Sequence, residues 1–404
     1  MPAPGSNYGY LTADLAGTGG TIKDSNDDFR VTELPAYQPC GEGEHVYLTI
    51  EKIGLTTLEA VRRIAAATGV PEREIGYAGM KDAVGVTIQT LSLPRVRPET
   101  VTGLQLPGLT VLSAVRHINK LRLGHLKGNR FRVVVRGVCG CHASTIESIM
   151  ETLRERGVPN WFGYQRYGIQ GNSHLIGSAM LRRDWRLAVD RLIGDPAAVA
   201  DADWQAAILC YQQGDLRGSL DRMPRHCRSE RDVLQRLLSR PDNWEKAFAA
   251  VDRRLMKLYL SACQSALFDH TVSMRLSELD RLWLGDLAFK HVNGACFAVE
   301  DPQAEALRAA SLEISPSGPM FGPGMKQPEG KQFQLEQQVL AEAGMTMQDF
   351  SPVGGLKLNG ERRPMRVPLG EPEWRLAGSD LLLEFSLPRG SYATSVLREF
   401  TKNF

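Results

Sequence analysis

The stretch GYAGMKDAVGVTIQ, Gly76 to Gln89, sets a Lys-Asp pair between an apolar, glycine-bearing segment and an alternating one. Lys81 and Asp82 are its residues with chemistry to offer. An ionised carboxylate between apolar flanks costs free energy unless it is partnered, and an adjacent ammonium can hold it charged. Gly76 and Gly79 permit close backbone approach by a ligand. Apolar flanks exclude water, which strengthens every charge interaction inside. This points to Asp82 as a buried nucleophile or base acting on a sugar or an electrophilic ring carbon. The plainer alternative is a turn former whose side chain bonds backbone N–H groups. A glycosidase uses two carboxylates flanking the bond. This stretch offers one, which favours chemistry in which water is not the acceptor.

A second cluster lies downstream. Between Glu99 and Glu147 there is no acidic residue, while Arg116, Lys120, Arg122, Lys127, Arg130, Arg132 and Arg136 all fall there. The net charge is only +2, so a basic segment of this kind points to one anionic partner at one place; a solvated basic face is the other reading. Within it Phe131 stands among cations, and Asn129 follows Gly128. An aromatic amid cations can stack an unpaired base while its phosphates are held, and Asn129 can bond a base edge. Core packing for Phe131 and a turn for Asn129 are the ordinary alternatives.

Other chemistries find little support. There is no Walker A loop and no HExxH metal motif, and no G-x-S-x-G elbow. The 7 cysteines show no regular spacing, and Cys139-Gly140-Cys141 is too tight for a zinc knuckle. A reduced, cytoplasmic protein without a structural metal is expected. The first residues have neither a basic nor an apolar region of a secretory leader, and no apolar run is long enough to span a bilayer.

These residues need elements to hold them. The 404 residues, 43% of them hydrophobic, suffice for two domains. Phe29–Leu34 and Val46–Glu51 alternate as half-buried strands around a glycine-bearing loop. Thr56 and Glu59 form a capping box for a helix ending at Gly69. Lys81-Asp82 falls at a turn between strands. In Arg130–Arg136, Phe131, Val133 and Val135 share one face, and the arginines share the other. A helix is predicted from Ser144, boxed with Glu147, to Gly157. From about Ser173 to Phe350 helical patterns dominate, including a long amphipathic candidate over Trp244–Leu279, and SPSGPMFGPGM reads as a break. Strand character returns at Leu381–Leu387, followed by a turn and a short helix. A strand-rich start and end around a helix-rich middle predict one sheet domain interrupted by an insertion.

Several blocks resemble the TruD family of pseudouridine synthases: DDFRVTELPAYQPCGEGEHVYLTIEKIGLTT, YAGMKD followed by VTIQ, KLRLGHLKGNRFRVVVR, GVPNWFGYQRYGIQGN, SACQSALFDHTVSMRL and LPRGSYATSVLRE. The resemblance covers most of residues 17–176 and 355–400, and the middle only in patches. It implies a fold of the α/β class in the mixed α+β sense. That is a pseudouridine synthase catalytic domain with a mainly antiparallel sheet over 1–158 and 353–404, and a helix-rich α/β insertion over 159–352. It implies isomerisation of uridine to pseudouridine in tRNA, at position 13 in bacterial members, with no cofactor, no metal and no protein partner; a monomer is the default. The family's catalytic aspartate falls on Asp82, its basic residue on Lys23, its stacking aromatic on Phe131 and the neighbouring Asn on Asn129. Lys81, Arg122, Lys127, Arg130 and Arg132 are the further candidates for holding RNA. Asp82 either attacks C1′ or takes a proton from C2′; the sequence does not choose between them.

One departure stands out. Where family members commonly carry basic residues after the aspartate, this chain has Ala83-Val84-Gly85. That motivates an alternative, an RNA-binding or tRNA-folding protein with reduced or lost catalysis. A third reading, an enzyme of free nucleosides, fits the basic segment poorly, since a nucleoside has no phosphate chain to hold.

Overall fold

The computed structural model describes residues 8–139 and 142–403. Gly140 and Cys141 lie outside them, and with them the Cys139-Cys141 pair. The chain divides into two compact units, one formed by Thr12–Val158 with Val367–Asn403, the other by Pro159–Arg366 with residues 8–11.

The first unit is built on a ten-stranded sheet. Its strands are β1 (Thr21–Ile22), β2 (Phe29–Pro35), β3 (His45–Ile53), β4 (Gly76–Tyr77), β5 (Val86–Pro94), β6 (Gln105–Leu106), β7 (Leu109–His117) and β8 (Leu126–Arg136), completed by Gly370–Ala377 and Asp380–Pro388. The order runs from Gly370–Ala377 through Asp380–Pro388, β8, β2, β5, β3 and β7 to β6, with β1 beside β8 and β4 beside β5. Every neighbouring pair is antiparallel except β2 with β5. The mixed α/β class with a mainly antiparallel sheet is therefore what the chain forms.

The alternating strands form for the expected reason: each has an inward and an outward face. Helix α1 (Thr57–Thr68) begins where Thr56 Oγ1 accepts the Glu59 N–H and ends at Gly69 in the left-handed region. Its Ala60, Val61 and Ile64 pack with Val46, Leu48, Ile50, Leu91 and Leu93. After a short α2 (Pro98–Thr102) and β8 comes α3 (Ala143–Arg156), which contacts Gly370–Ala377 and the last helix, Ala393–Thr401. Its N-cap is His142 rather than Ser144, with no capping side-chain bond. Glu147 is engaged elsewhere, accepting the Trp374 indole N–H at 2.6 Å.

In the second unit, helices surround one large core, with a four-stranded sheet ordered Cys296–Ala298, Leu287–Lys290, Ile314–Met320, Glu361–Pro364. The long Trp244–Leu279 helix is divided. Trp244–Phe248 ends, and Asp252 caps a new helix, Arg253–Met274, by accepting the Arg254 and Leu255 N–H groups. SPSGPMFGPGM is no simple break either, since Ile314–Met320 is a fully buried inner strand. Gly318 belongs there because a Cβ on it would lie 2.9 Å from the Phe268 ring. Glu361–Pro364 pairs with that strand, so residues 353–366 pack with this unit, and the first unit resumes only at Val367. Among the described residues no helix is long and apolar enough to cross a membrane.

Candidate active site

Asp82 lies in the loop joining β4 to β5, and its side chain is 52% exposed. The expectation of a buried carboxylate is thus corrected: Asp82 is exposed, between half-buried Lys81 and Ala83 and near the exposed Met80 and Val84. Lys23 Nζ lies 3.4 Å from Asp82 Oδ2 and 4.3 Å from the centroid of the Phe29 ring. Lys23 adopts a left-handed φ of 64°, uncommon for a residue with a Cβ. The ammonium thus sits between a carboxylate and an aromatic face, attracted by both.

Lys81 does not serve Asp82. Consecutive residues point to opposite sides of an extended segment, and Lys81 turns inward. Its Nζ lies 3.1 Å from Glu33 Oε2, both side chains being almost fully buried, and donates to Asn129 Oδ1 at 2.7 Å. Its backbone N–H donates to Thr57 Oγ1 at 2.8 Å, and that hydroxyl donates to Gln89 Oε1 at 3.0 Å. Burial pushes the Glu33 carboxyl above its ordinary range, and the Lys81 charge opposes this.

The register explains the grouping. Val31 pairs with Phe131 and Glu33 with Asn129, so Phe29, Val31, Glu33, Asn129 and Phe131 share one face of the sheet. Thr87 and Gln89 join it from β5, and Lys52 from β3. A polar stripe therefore crosses an otherwise apolar sheet face, and the Asp82 loop lies over it.

Arg130 and Arg132 fall on the opposite face. Arg132 Nε lies 3.2 Å from Glu384 Oε1, Arg130 pairs with Glu371, and Arg136 pairs with Asp28 and Asp380. Neither Arg130 nor Arg132 joins Asp82. Arg130, Arg132 and Arg136 are matched by carboxylates that are distant in sequence. Arg122 and Lys127 are exposed and form no ion pair among the described residues, so they remain available to an anion.

Phe131 is 6% exposed, with its ring 6.2 Å from Phe29 and 5.4 Å from Phe385. It is packed among core rings, and the aromatic beside the Asp82–Lys23 pair is Phe29. The sequence reading missed Phe29, Glu33 and Lys52. Each could have been found by parity, because each stands at an inward position of an alternating strand, two of them with a charge that needs a partner.

Gly85 gives the departure after Asp82 a backbone reason. Its φ is 133°, and a Cβ there would come 2.5 Å from the Phe29 carbonyl oxygen. Its N–H donates to Asn26 Oδ1 at 3.0 Å. The Gly85→Ala variant should lose about 1–3 kcal/mol of stability, with hydrogen exchange rising first around Phe29 and Gly85. Wild-type exchange there would refute this account.

Residues 6–400 match the family model described as tRNA pseudouridine synthase D (TruD). The chain belongs to the TruD family. A curated relative from Geobacter metallireducens, named tRNA pseudouridine synthase D, is 61% identical over 393 residues, covering 97% of each chain. One of the same name from Thermus thermophilus is 38% identical, over 98% of this chain and 92% of its own. A crystal structure from Methanosarcina mazei, assigned there to tRNA pseudouridine synthase D, superposes with a TM-score of 0.84 at 25% identity, covering 97% of this chain and 95% of that one. Family membership thus agrees with the motif resemblance along the whole chain, including the middle that the motifs covered only in patches.

Proposed function

We propose that this TruD-family chain isomerises uridine to pseudouridine in tRNA, with Asp82 as the reacting carboxylate. The observation that carries the reading is the Lys23–Asp82 pair beside Phe29, a carboxylate held on one oxygen and open to solvent. A uridine turned out of the RNA stack would bring its sugar to Asp82. With Oδ2 held by Lys23, Oδ1 is left for C1′ or for the C2′ proton. The C1′–N1 bond breaks as Oδ1 bonds C1′ or takes the C2′ proton. The uracil rotates within the site, and a C1′–C5 bond forms as the Asp82–C1′ bond breaks or the C2′ proton returns. The C5 proton leaves to water and N1 takes up a proton from water. The expelled base never departs, so no water is consumed. Arg122 and Lys127 contribute phosphate contacts from the rim, and the Lys81–Asn129–Glu33 cluster supports the loop from beneath.

The target proposed is the uridine at position 13, and the form proposed is a cytoplasmic monomer working without a cofactor. Unmodified tRNA tritiated at uracil C5 tests this. The wild-type protein is expected to release one equivalent of tritium per tRNA, mapping to position 13. Binding of tRNA without release would overturn the proposal in favour of a binding protein.

A further inference from the structure

Lys52 is fully buried and has no carboxylate partner among the described residues. Along β3, Val46, Leu48, Ile50 and Lys52 share the inward face, so an ammonium occupies a place where the pattern calls for a fourth aliphatic side chain. A buried charge of this kind is costly. Its Nζ donates to two backbone carbonyls, that of Leu55 at 2.5 Å and that of Asp82 at 3.0 Å. Leu55 lies in the connection entering α1, and Asp82 in the connection entering β5. One ammonium therefore joins two loops.

The Asp82 loop is held at several main-chain points, including the Ala78 and Gly85 carbonyls, which accept the Gly124 and Gly54 N–H groups. The Lys81 N–H bonds Thr57, the Gly85 N–H bonds Asn26, and the Asp82 carbonyl accepts from Lys52. Only the last acts on the residue whose side chain must be aimed. Among the described residues the Asp82 side chain has a single partner, Lys23, and it can otherwise swing with its peptide unit.

We propose that Lys52 is a positioning residue for Asp82, fixing the rotation of its peptide unit and so the direction in which the carboxylate leaves the loop. This rests on the reading of Asp82 as the reacting group. Lys52 touches no substrate in this account; it acts through the backbone. A misplacement of about 1 Å at a reacting atom can cost roughly 100-fold in rate, which is the effect expected when the pin is removed.

The ammonium also brings charge. The charged groups around it are Asp82 and Lys81 of the same loop. Lys81 is itself engaged by Glu33 of β2, and Lys23 lies beyond on the Asp82 carboxylate. Burial pushes Lys52 down to about 8, with Asp82 opposing and Lys81 reinforcing the fall. As pH rises through that value the ammonium becomes an amine, a weaker donor to carbonyls. Arginine stays charged throughout.

The test compares wild type, Lys52→Met and Lys52→Arg for tritium release from saturating tRNA between pH 6.5 and 9.5, roughly 1.5 units either side of that value. Hydrogen exchange over residues 78–85 is followed in parallel. Lys52→Met is expected to lose about 100-fold in kcat with KM little changed, and to exchange faster in this loop while β3 and β7 stay protected. Lys52→Arg is expected to recover part of the rate and to lack the alkaline decline of wild type. Undiminished turnover in Lys52→Met, loop exchange no faster than in wild type, or an identical alkaline limb in Lys52→Arg would overturn the proposal. Should the wild-type protein release no tritium, the functional reading fails instead, and loop exchange still decides whether Lys52 pins the loop.

Discussion

The Asp82→Asn variant should bind tRNA with nearly wild-type affinity and release tritium at least about four orders of magnitude more slowly. The substitution is close to isosteric. The anchors of the loop include the Lys81 and Gly85 N–H groups and the Ala78, Asp82 and Gly85 carbonyls, none of which uses the Asp82 side chain, so the loop keeps its shape. The amide oxygen can still accept from Lys23. Lost are the negative charge and the oxygen able to attack C1′ or take a proton from C2′. Glu33 is no substitute, being buried against Lys81. Binding by Arg122, Lys127 and the rest of the RNA surface is untouched. Turnover within about tenfold of wild type would show that Asp82 is not the reacting group.

The largest effect on stability is expected from Lys81→Met. Lys81 and Glu33 are each less than a tenth exposed, 3.1 Å apart. Removing one member of a buried pair strands the other, at a cost of about 3–5 kcal/mol. With Lys81 gone, the cation that opposes the burial of Glu33 is gone, and its carboxyl rises further above the ordinary range. A carboxyl that holds its proton more tightly folded than unfolded favours the fold at low pH, and that advantage fades as pH rises through the raised value. The deficit of Lys81→Met should therefore be large at pH 8 and smaller at pH 5, as compared by thermal midpoints. The double variant Lys81→Met/Glu33→Met should recover most of the loss, because two apolar side chains replace the pair. An equal deficit at both pH values would mean that Glu33 is not the stranded group.

What the sequence makes legible here is local. Phe29–Leu34, Val46–Glu51 and Leu381–Leu387 alternate over whole strands, and Thr56, Glu59 and Gly69 mark a helix at both ends, so these elements are found where the pattern puts them. The motif and the family resemblance pointed to Asp82 and Lys23, and the fold brings these two side chains to 3.4 Å. It was illegible where chain-distant partners decide. Nothing near Arg130 and Arg132 announces Glu371 and Glu384, and nothing near Lys81 announces Glu33. A short run of non-helical residues before Asp252 was enough to divide a helix whose periodicity continues across it. Pro316, Gly318 and Pro319 hid a strand, because a proline contributes no N–H to a ladder. Around Phe131 the chain neighbours mislead: cations flank it in sequence but point to the other side of the sheet.

The discontinuity of the first unit has a consequence during synthesis. Strand β8 pairs along Gly128–Val135 with Leu381–Pro388, yet about 200 residues of the other unit are made between them. At typical elongation rates that leaves roughly 10–40 s in which this border of the nascent sheet is open. An open border is a template for a stray strand from a neighbouring chain. Arg130, Arg132 and Arg136 stand along it, and the carboxylates of Asp380 and Glu384 that later match two of them arrive with the closing strand itself. Asp28 already matches Arg136, but Arg130 and Arg132 keep their charge along the open border, which disfavours a stray strand of like charge, and the strand that finally fits is the one that carries the acids.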